Sequence, residues 1–150
     1  MNKDHLSTSA IEIDASKASV WKALVSPEIM EKYFWGAKVT SNWKVGHSIS
    51  FTGEYKGNTY QEKGILLQVI PPKTLQYTHW SDLENLPDLP ENYRTWTFEL
   101  SGQGTATQLT ITEDNIPTIA QKERSDQFWK EVLLTIKRLL EKEERMPNND

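Results

Sequence analysis

The feature that most limits what this chain can fold into lies in its last third. Phe128, Trp129, Val132, Leu133, Ile136, Leu139 and Leu140 recur at the three-and-four spacing of one helical stripe. Lys122, Asp126, Lys130, Glu131, Lys137 and Arg138 fall on the other faces. Thr118 and Gln121 have the spacing of a capping box, which predicts a helix from there to about Glu144, roughly 40 Å long at 1.5 Å per residue. Its first two turns are much more polar than its last four. A stripe of that length needs an apolar surface to match it, and only a broad sheet can supply one.

The middle of the chain offers that sheet. From Val39 to Thr112 the pattern has period two, punctuated by turn residues at Asn42, Gly46, Gly57-Asn58, Pro71-Pro72 and Gly102 to Gly104. The expected strands are Ser48 to Tyr55, Tyr60 to Ile70, Leu75 to Trp80, Tyr93 to Leu100 and Thr105 to Thr112, and short connections favour antiparallel hairpins. Ahead of them, Leu6 to Ile13 alternates as a strand. Ser16 or Asp14 can cap a short helix carrying Val20, Trp21 and Leu24, and Ser26-Pro27-Glu28 starts a second one that Gly36 ends. Asp82 to Asn92 is a long acidic connection, read as either a lid or a plain surface loop. The polar tail from Glu141 to Asp150 is expected to fray.

These elements predict a single α+β domain over the 150 residues, a curved antiparallel sheet wrapped around the C-terminal helix in a helix-grip arrangement. A formal charge of -4 and no basic stripe argue against nucleic-acid binding. The absence of cysteine removes disulfides, thiolate nucleophiles and cysteine-based metal sites. His5, His47 and His79 are too dispersed to suggest a metal site, and neither a metal nor a cofactor is expected. With no apolar run at the start and none long enough to span a bilayer, the expectation is a cytoplasmic protein without membrane insertion.

Alternation assigns side chains to faces. Odd positions His47, Ile49, Phe51 and Tyr55 share one face, as do Ile65, Leu67 and Val69, and Leu75, Tyr77 and His79. Even positions Trp96, Phe98 and Leu100 play that part on the next strand, followed by Leu109 and Ile111. All are expected to face the helix, with Trp35, Trp129, Val132, Leu133 and Ile136 opposite. Six Trp, five Tyr and four Phe are hard to pack without gaps, so an apolar cavity is expected there. Its expected ligand-binding residues are Trp35, Phe51, Tyr55, Leu67, Tyr77, His79, Trp96, Phe98, Trp129, Val132, Leu133 and Ile136. The plainer alternative makes these rings ordinary core.

The markers Val20-Trp21-Lys22-Ala23-Leu24, Ser26-Pro27-Glu28, Tyr33-Phe34-Trp35 and Trp43-Lys44-Val45-Gly46 occur in family order. Gly64 with Val69-Ile70-Pro71-Pro72, Leu75-Gln76-Tyr77-Thr78 and Gln108-Leu109-Thr110-Ile111-Thr112 continue the series. Together they resemble the START-related SRPBCC superfamily, and within it the proteins similar to the C-terminal domain of activators of the heat-shock-protein-90 ATPase. The resemblance implies the helix-grip fold and a small hydrophobic ligand that is lipid-like, polyketide-like or flavonoid-like. It also implies two alternatives. One is cyclase or dehydratase chemistry with His79 as acid or base, for which Glu54, Glu62, Asp82 and Glu99 are candidate partners. The other is regulation of a chaperone ATPase, although the eukaryotic activators engage the chaperone through an additional N-terminal domain. No hydrolase elbow, zinc-protease helix or phosphate loop is present, and binding is the reading favoured over catalysis.

Overall fold

A computed structural model describes residues 5–145. It contains strands β1 (His5–Ile13), β2 (Lys38–Ser41), β3 (Ser48–Tyr55), β4 (Asn58–Ile70), β5 (Thr74–Ser81), β6 (Arg94–Ser101) and β7 (Thr107–Ile116), and helices α1 (Lys17–Val25), α2 (Pro27–Tyr33) and α3 (Ile119–Arg145). The strands form one antiparallel sheet in the order β1-β7-β6-β5-β4-β3-β2. The sheet curves around α3, which is the helix-grip fold. The first and second strands occupy opposite edges, so α1 and α2 carry the chain across one face before the meander returns it beside its start.

Local chemistry accounts for these boundaries. Ser16 caps α1, its Oγ accepting the Ser19 amide at 3.2 Å. Helix α2 begins on Pro27, whose missing N–H costs nothing at that position. It closes at Tyr33, and the following turn holds Trp35 and Gly36 at positive φ, 49° and 88°. The capping pair of α3 forms as the spacing predicts, with Thr118 Oγ1 accepting the Gln121 amide at 3.1 Å. The helix is pinned to β1 by Ser7 donating to Asp126 (2.5 Å), by Lys137 donating to the Glu12 carbonyl (2.8 Å) and by the Asp14 amide donating to Glu141 (2.8 Å). Glu141 is therefore a buried anchor within a helix that continues to Arg145. The rest of the expected frayed tail lies outside the described residues.

The strands run close to their expected limits, with two additions. Lys38–Ser41 is an edge strand that the turn signals around Asn42 had hidden, and β7 extends four residues further, to Ile116. The face assignment holds for β5, β6 and β7, whose Leu75, Tyr77, His79, Trp96, Phe98, Leu100, Leu109 and Ile111 are buried. It fails on β4. The β3–β4 hairpin turns on Lys56-Gly57, both at positive φ as a two-residue type I′ loop requires. That turn sets Ile49 opposite Gly64 and Phe51 opposite Glu62. Directly opposed residues share a face, so the even positions of β4 point inward: Leu66 is buried, whereas Ile65 and Leu67 are 42% and 41% exposed on the outer face. A bulge between Leu66 and Gln68 then restores odd parity, and Val69, opposite Leu75, packs against the core. His47 precedes β3 and is exposed, bonded to Asn42.

Candidate ligand-binding cavity

Trp129, Val132, Leu133, Ile136 and Leu140 of α3 pack against Leu75, Phe98, Leu109 and Ile111 in a continuous core. The aromatic surplus collects at the other end of the grip, against the first turns of α3. There Phe34 is the hub, with ring centroids 5.8 Å from Phe51, 6.0 Å from Trp96 and 6.2 Å from Phe128. Around them a half-open cavity of about 630 Å³ remains, within the range of small-molecule sites. Trp35, held at positive φ and 60% exposed, and Tyr55, 54% exposed, stand at its rim.

Much of the remaining lining is polar, and strand parity places the buried polar side chains that come from the sheet. On β5 the inward series Leu75, Tyr77, His79 ends on Ser81, and on β7 the series Leu109, Ile111 ends on Glu113. On β6 the series Trp96, Phe98, Leu100 is preceded by Arg94. Antiparallel pairing brings these strand ends together, with Glu62 of β4 beside them.

Two networks result. In the first, His79 Nε2 lies 3.0 Å from Glu62 Oε1, and Ser81 Oγ donates to Glu62 Oε2 at 2.8 Å. Burial of the Glu62 carboxyl opposes its ionisation, but the hydrogen bond and charge of His79 and the hydrogen bond of Ser81 outweigh this. They hold it below the usual carboxylate range. A carboxylate can only accept, so Nε2 carries the shared proton. The imidazole also stacks on Trp96, centroids 3.7 Å apart and planes 15° from parallel. In the second network, Arg94 donates from Nη1 to Glu113 Oε2 and from Nη2 to Glu84 Oε1, each at 2.9 Å, while Trp129 Nε1 donates to Glu113 Oε1 at 2.8 Å. Two buried donors, Tyr77 Oη and Trp96 Nε1, have no hydrogen-bond partner among the described residues. Burial, with Tyr33 and Glu62 nearby, pushes the Tyr77 phenol well above its ordinary range.

Of the residues singled out from sequence, Trp35, Phe51, Tyr55, His79 and Trp96 line the cavity. Tyr77, Phe98, Trp129, Val132, Leu133 and Ile136 are core residues that do not line it, and Leu67 lies on the opposite face of the sheet. The expected cavity along the apolar stretch of α3 is thus displaced to its polar first turns, which contribute Gln121, Arg124, Ser125 and Phe128. Among the four candidate partners of His79, Glu62 bonds to it, whereas Asp82 accepts the Gln61 amide instead. Glu99 is exposed on the outer parity of β6, and Glu54 lines the cavity without bonding His79. The segment from Asp82 to Asn92 contains single 3-10 turns at Asp82–Glu84 and Pro90–Asn92, and the first of them places Leu83 and Glu84 in the cavity wall.

A family model described as activator of Hsp90 ATPase homolog 1-like protein matches residues 14–141. The chain belongs to this family. Among solved structures, that of ChR145 from Cytophaga hutchinsonii is 36% identical over 97% of this chain and 100% of that one, with a TM-score of 0.84. The Aha1 dimer from Colwellia psychrerythraea is similar in fold at 20% identity, covering 91% of this chain and 96% of that one with a TM-score of 0.71. DynU16, a putative protein in the dynemicin biosynthetic locus, superposes with a TM-score of 0.75 at 18% identity, over 92% of this chain and 48% of that one. No functionally curated protein matches. Among the described residues of this family member, no helix is long and apolar enough to cross a membrane, and no cluster of His, Cys, Asp and Glu could hold a metal ion.

Proposed function

We propose that this protein binds a small, largely hydrophobic molecule with a planar aromatic or isoprenoid-like body in the cavity at the N-terminal end of α3. The observation that carries the reading is a cavity of about 630 Å³ walled by Phe34, Phe51, Trp96 and Phe128 and rimmed by Trp35 and Tyr55. A fold whose core is filled elsewhere has no packing need for an opening of that size. The polar networks beside the rings supply the few fixed groups that orient a ligand. A structural relative associated with the dynemicin biosynthetic locus is in keeping with ligands of this type.

The test is a titration with flavonoids, fatty acids and aromatic polyketides, following tryptophan fluorescence and amide NMR shifts, alongside native mass spectrometry of protein purified from its own host. Saturable quenching is expected, with shifts concentrated at residues 34–37, 79–84 and 121–128. Silence across the panel would overturn the proposal.

A second reading, acid/base chemistry on such a ligand, is favoured by one observation: His79 lines the cavity with Nε2 committed to Glu62. Nδ1 has no hydrogen-bond partner among the described residues and is the nitrogen left to exchange a proton. His79→Gln should then abolish turnover while leaving ligand affinity within a few-fold. Retained turnover removes the role.

A further inference from the structure

Arg94 is a buried cation in the cavity wall, and its two carboxylate partners differ in kind. Glu113 belongs to a central strand, is buried, and has both oxygens engaged, one by Arg94 and the other by the Trp129 indole. Glu84 belongs to a single 3-10 turn, its side chain is 32% exposed, and Oε1 alone is bonded, to Arg94 Nη2. Rotating Glu84 outward would return it to water without disturbing Glu113. The vacated Nη2 would face the cavity, and a cation in that setting is stable only with another anion.

Arg124, exposed in the lining from α3 and forming no ion pair among the described residues, adds a positive charge to the approach. Glu62 and Glu54 also line the cavity, and Glu62 has both oxygens taken by His79 and Ser81. Exchanging one carboxylate for another leaves the cavity's charge unchanged, so these acids do not bar an anionic occupant.

We propose that Glu84 is a resident stand-in for the acidic group of the ligand, and that the cavity selects hydrophobic carboxylic acids whose carboxylate displaces Glu84 from Arg94. This rests on the cavity being a small-molecule site. Entry of the acid releases the Glu84 side chain, which acts as a latch on Arg94. The other ties of the segment stay in place: Asp82 accepts the Gln61 amide and Ser81 Oγ the Leu83 amide, Trp80 Nε1 donates to the Leu86 and Pro87 carbonyls, Lys63 and Tyr93 donate to Asp88, and Asn115 donates to the Glu91 and Tyr93 carbonyls.

Matched pairs that differ only in the acidic group test it: 2-naphthoate with 2-naphthylmethanol, and decanoate with decanol, titrated into wild type and Glu84→Gln. Removing the competing charge should tighten binding of the acid about tenfold and change that of the alcohol less than about twofold, because a charge-assisted contact is roughly twice as strong as a neutral one. In wild type the acid should shift the amides of residues 82–84 and the Arg94 side-chain resonance further than the matched alcohol does at equal saturation. Equal gains for acid and alcohol, or no gain for the acid, overturn the stand-in role while leaving the cavity as a binding site. Binding of no probe to either protein overturns the cavity reading as well.

Discussion

Substituting Gly64 by alanine tests the crossing of β4 and β5 that places the polar networks. A Cβ built on Gly64 would lie 1.6 Å from the Thr78 carbonyl oxygen and 2.4 Å from its carbon. Ordinary contact between such atoms is roughly 3.5 Å, so the two backbones would have to part by about 2 Å. They cannot do so freely. Thr78 Oγ1 accepts the Ile65 amide at 2.9 Å, replacing a ladder bond where the pairing is irregular, and Lys63 opposite Trp80 and Leu66 opposite Tyr77 fix the register on either side. Overpacking at a buried site costs about 1–3 kcal/mol, and loss of the Ile65 bond adds about 1 kcal/mol. The expected loss is therefore about 2–4 kcal/mol, a large part of the roughly 5–15 kcal/mol that holds a domain together. Urea denaturation followed by circular dichroism measures it, and the midpoint of thermal unfolding should fall by about 10 °C. Gly57→Ala is the control, because its Cβ meets nothing within 4 Å and it bears only the strain of φ +84°, about 1–2 kcal/mol. If Gly64→Ala loses no more than Gly57→Ala, the close crossing is not the reason for glycine at this position.

Three further outcomes follow from the buried polar groups. Tyr77→Phe removes a hydroxyl with no partner among the described residues, so stability should be unchanged or rise by up to about 1 kcal/mol, and a loss above about 1 kcal/mol in urea would show that the hydroxyl is bonded. Glu113→Ala leaves the Trp129 indole unpaired and Arg94 with Glu84 alone, and should cost about 3 kcal/mol by the same measurement, a cost that lowers with any relaxation admitting water. For Glu62 the sign follows from a folded-state pKa below its unfolded value: its ionised form stabilises the fold above the unfolded pKa, near pH 4.3, and that contribution disappears as pH falls through the lower folded value. The difference in melting temperature between wild type and Glu62→Gln should accordingly shrink as pH falls below about 4; a difference that grows below about pH 4 would reverse the assignment.

Much of the fold was legible because it rests on repeated local signals. The stripe from Phe128 to Leu140, the cap at Thr118 and the parity of β5, β6 and β7 each leave several residues in the sequence that agree with one another. The inward face of β4 was not legible, because its parity is set by a two-residue turn at Lys56-Gly57 and reset by a bulge after Leu66. Neither changes the hydrophobic pattern: Ile65, Leu67 and Val69 alternate without interruption across a strand that has switched faces. Reading Leu67 inward was the direct consequence.

The cavity was misplaced for a different reason, and the signal that locates it was present in the same parity argument. Apolar residues mark where a core is full, so the densest part of the α3 stripe identifies packing rather than space. Where an inward series changes chemistry, the core ends. His79 to Ser81 on β5, Arg94 before Trp96 on β6 and Glu113 after Ile111 on β7 are three such changes, and antiparallel pairing forces all three to one end of the sheet. The polar first turns of α3 cover that same end. Charged residues at inward positions are costly unless they hold one another or something else. Here Arg94 is held by one carboxylate locked in the core and one carried on a surface turn. That difference could not be read from the sequence, in which Glu84 is one of several acids in a loop.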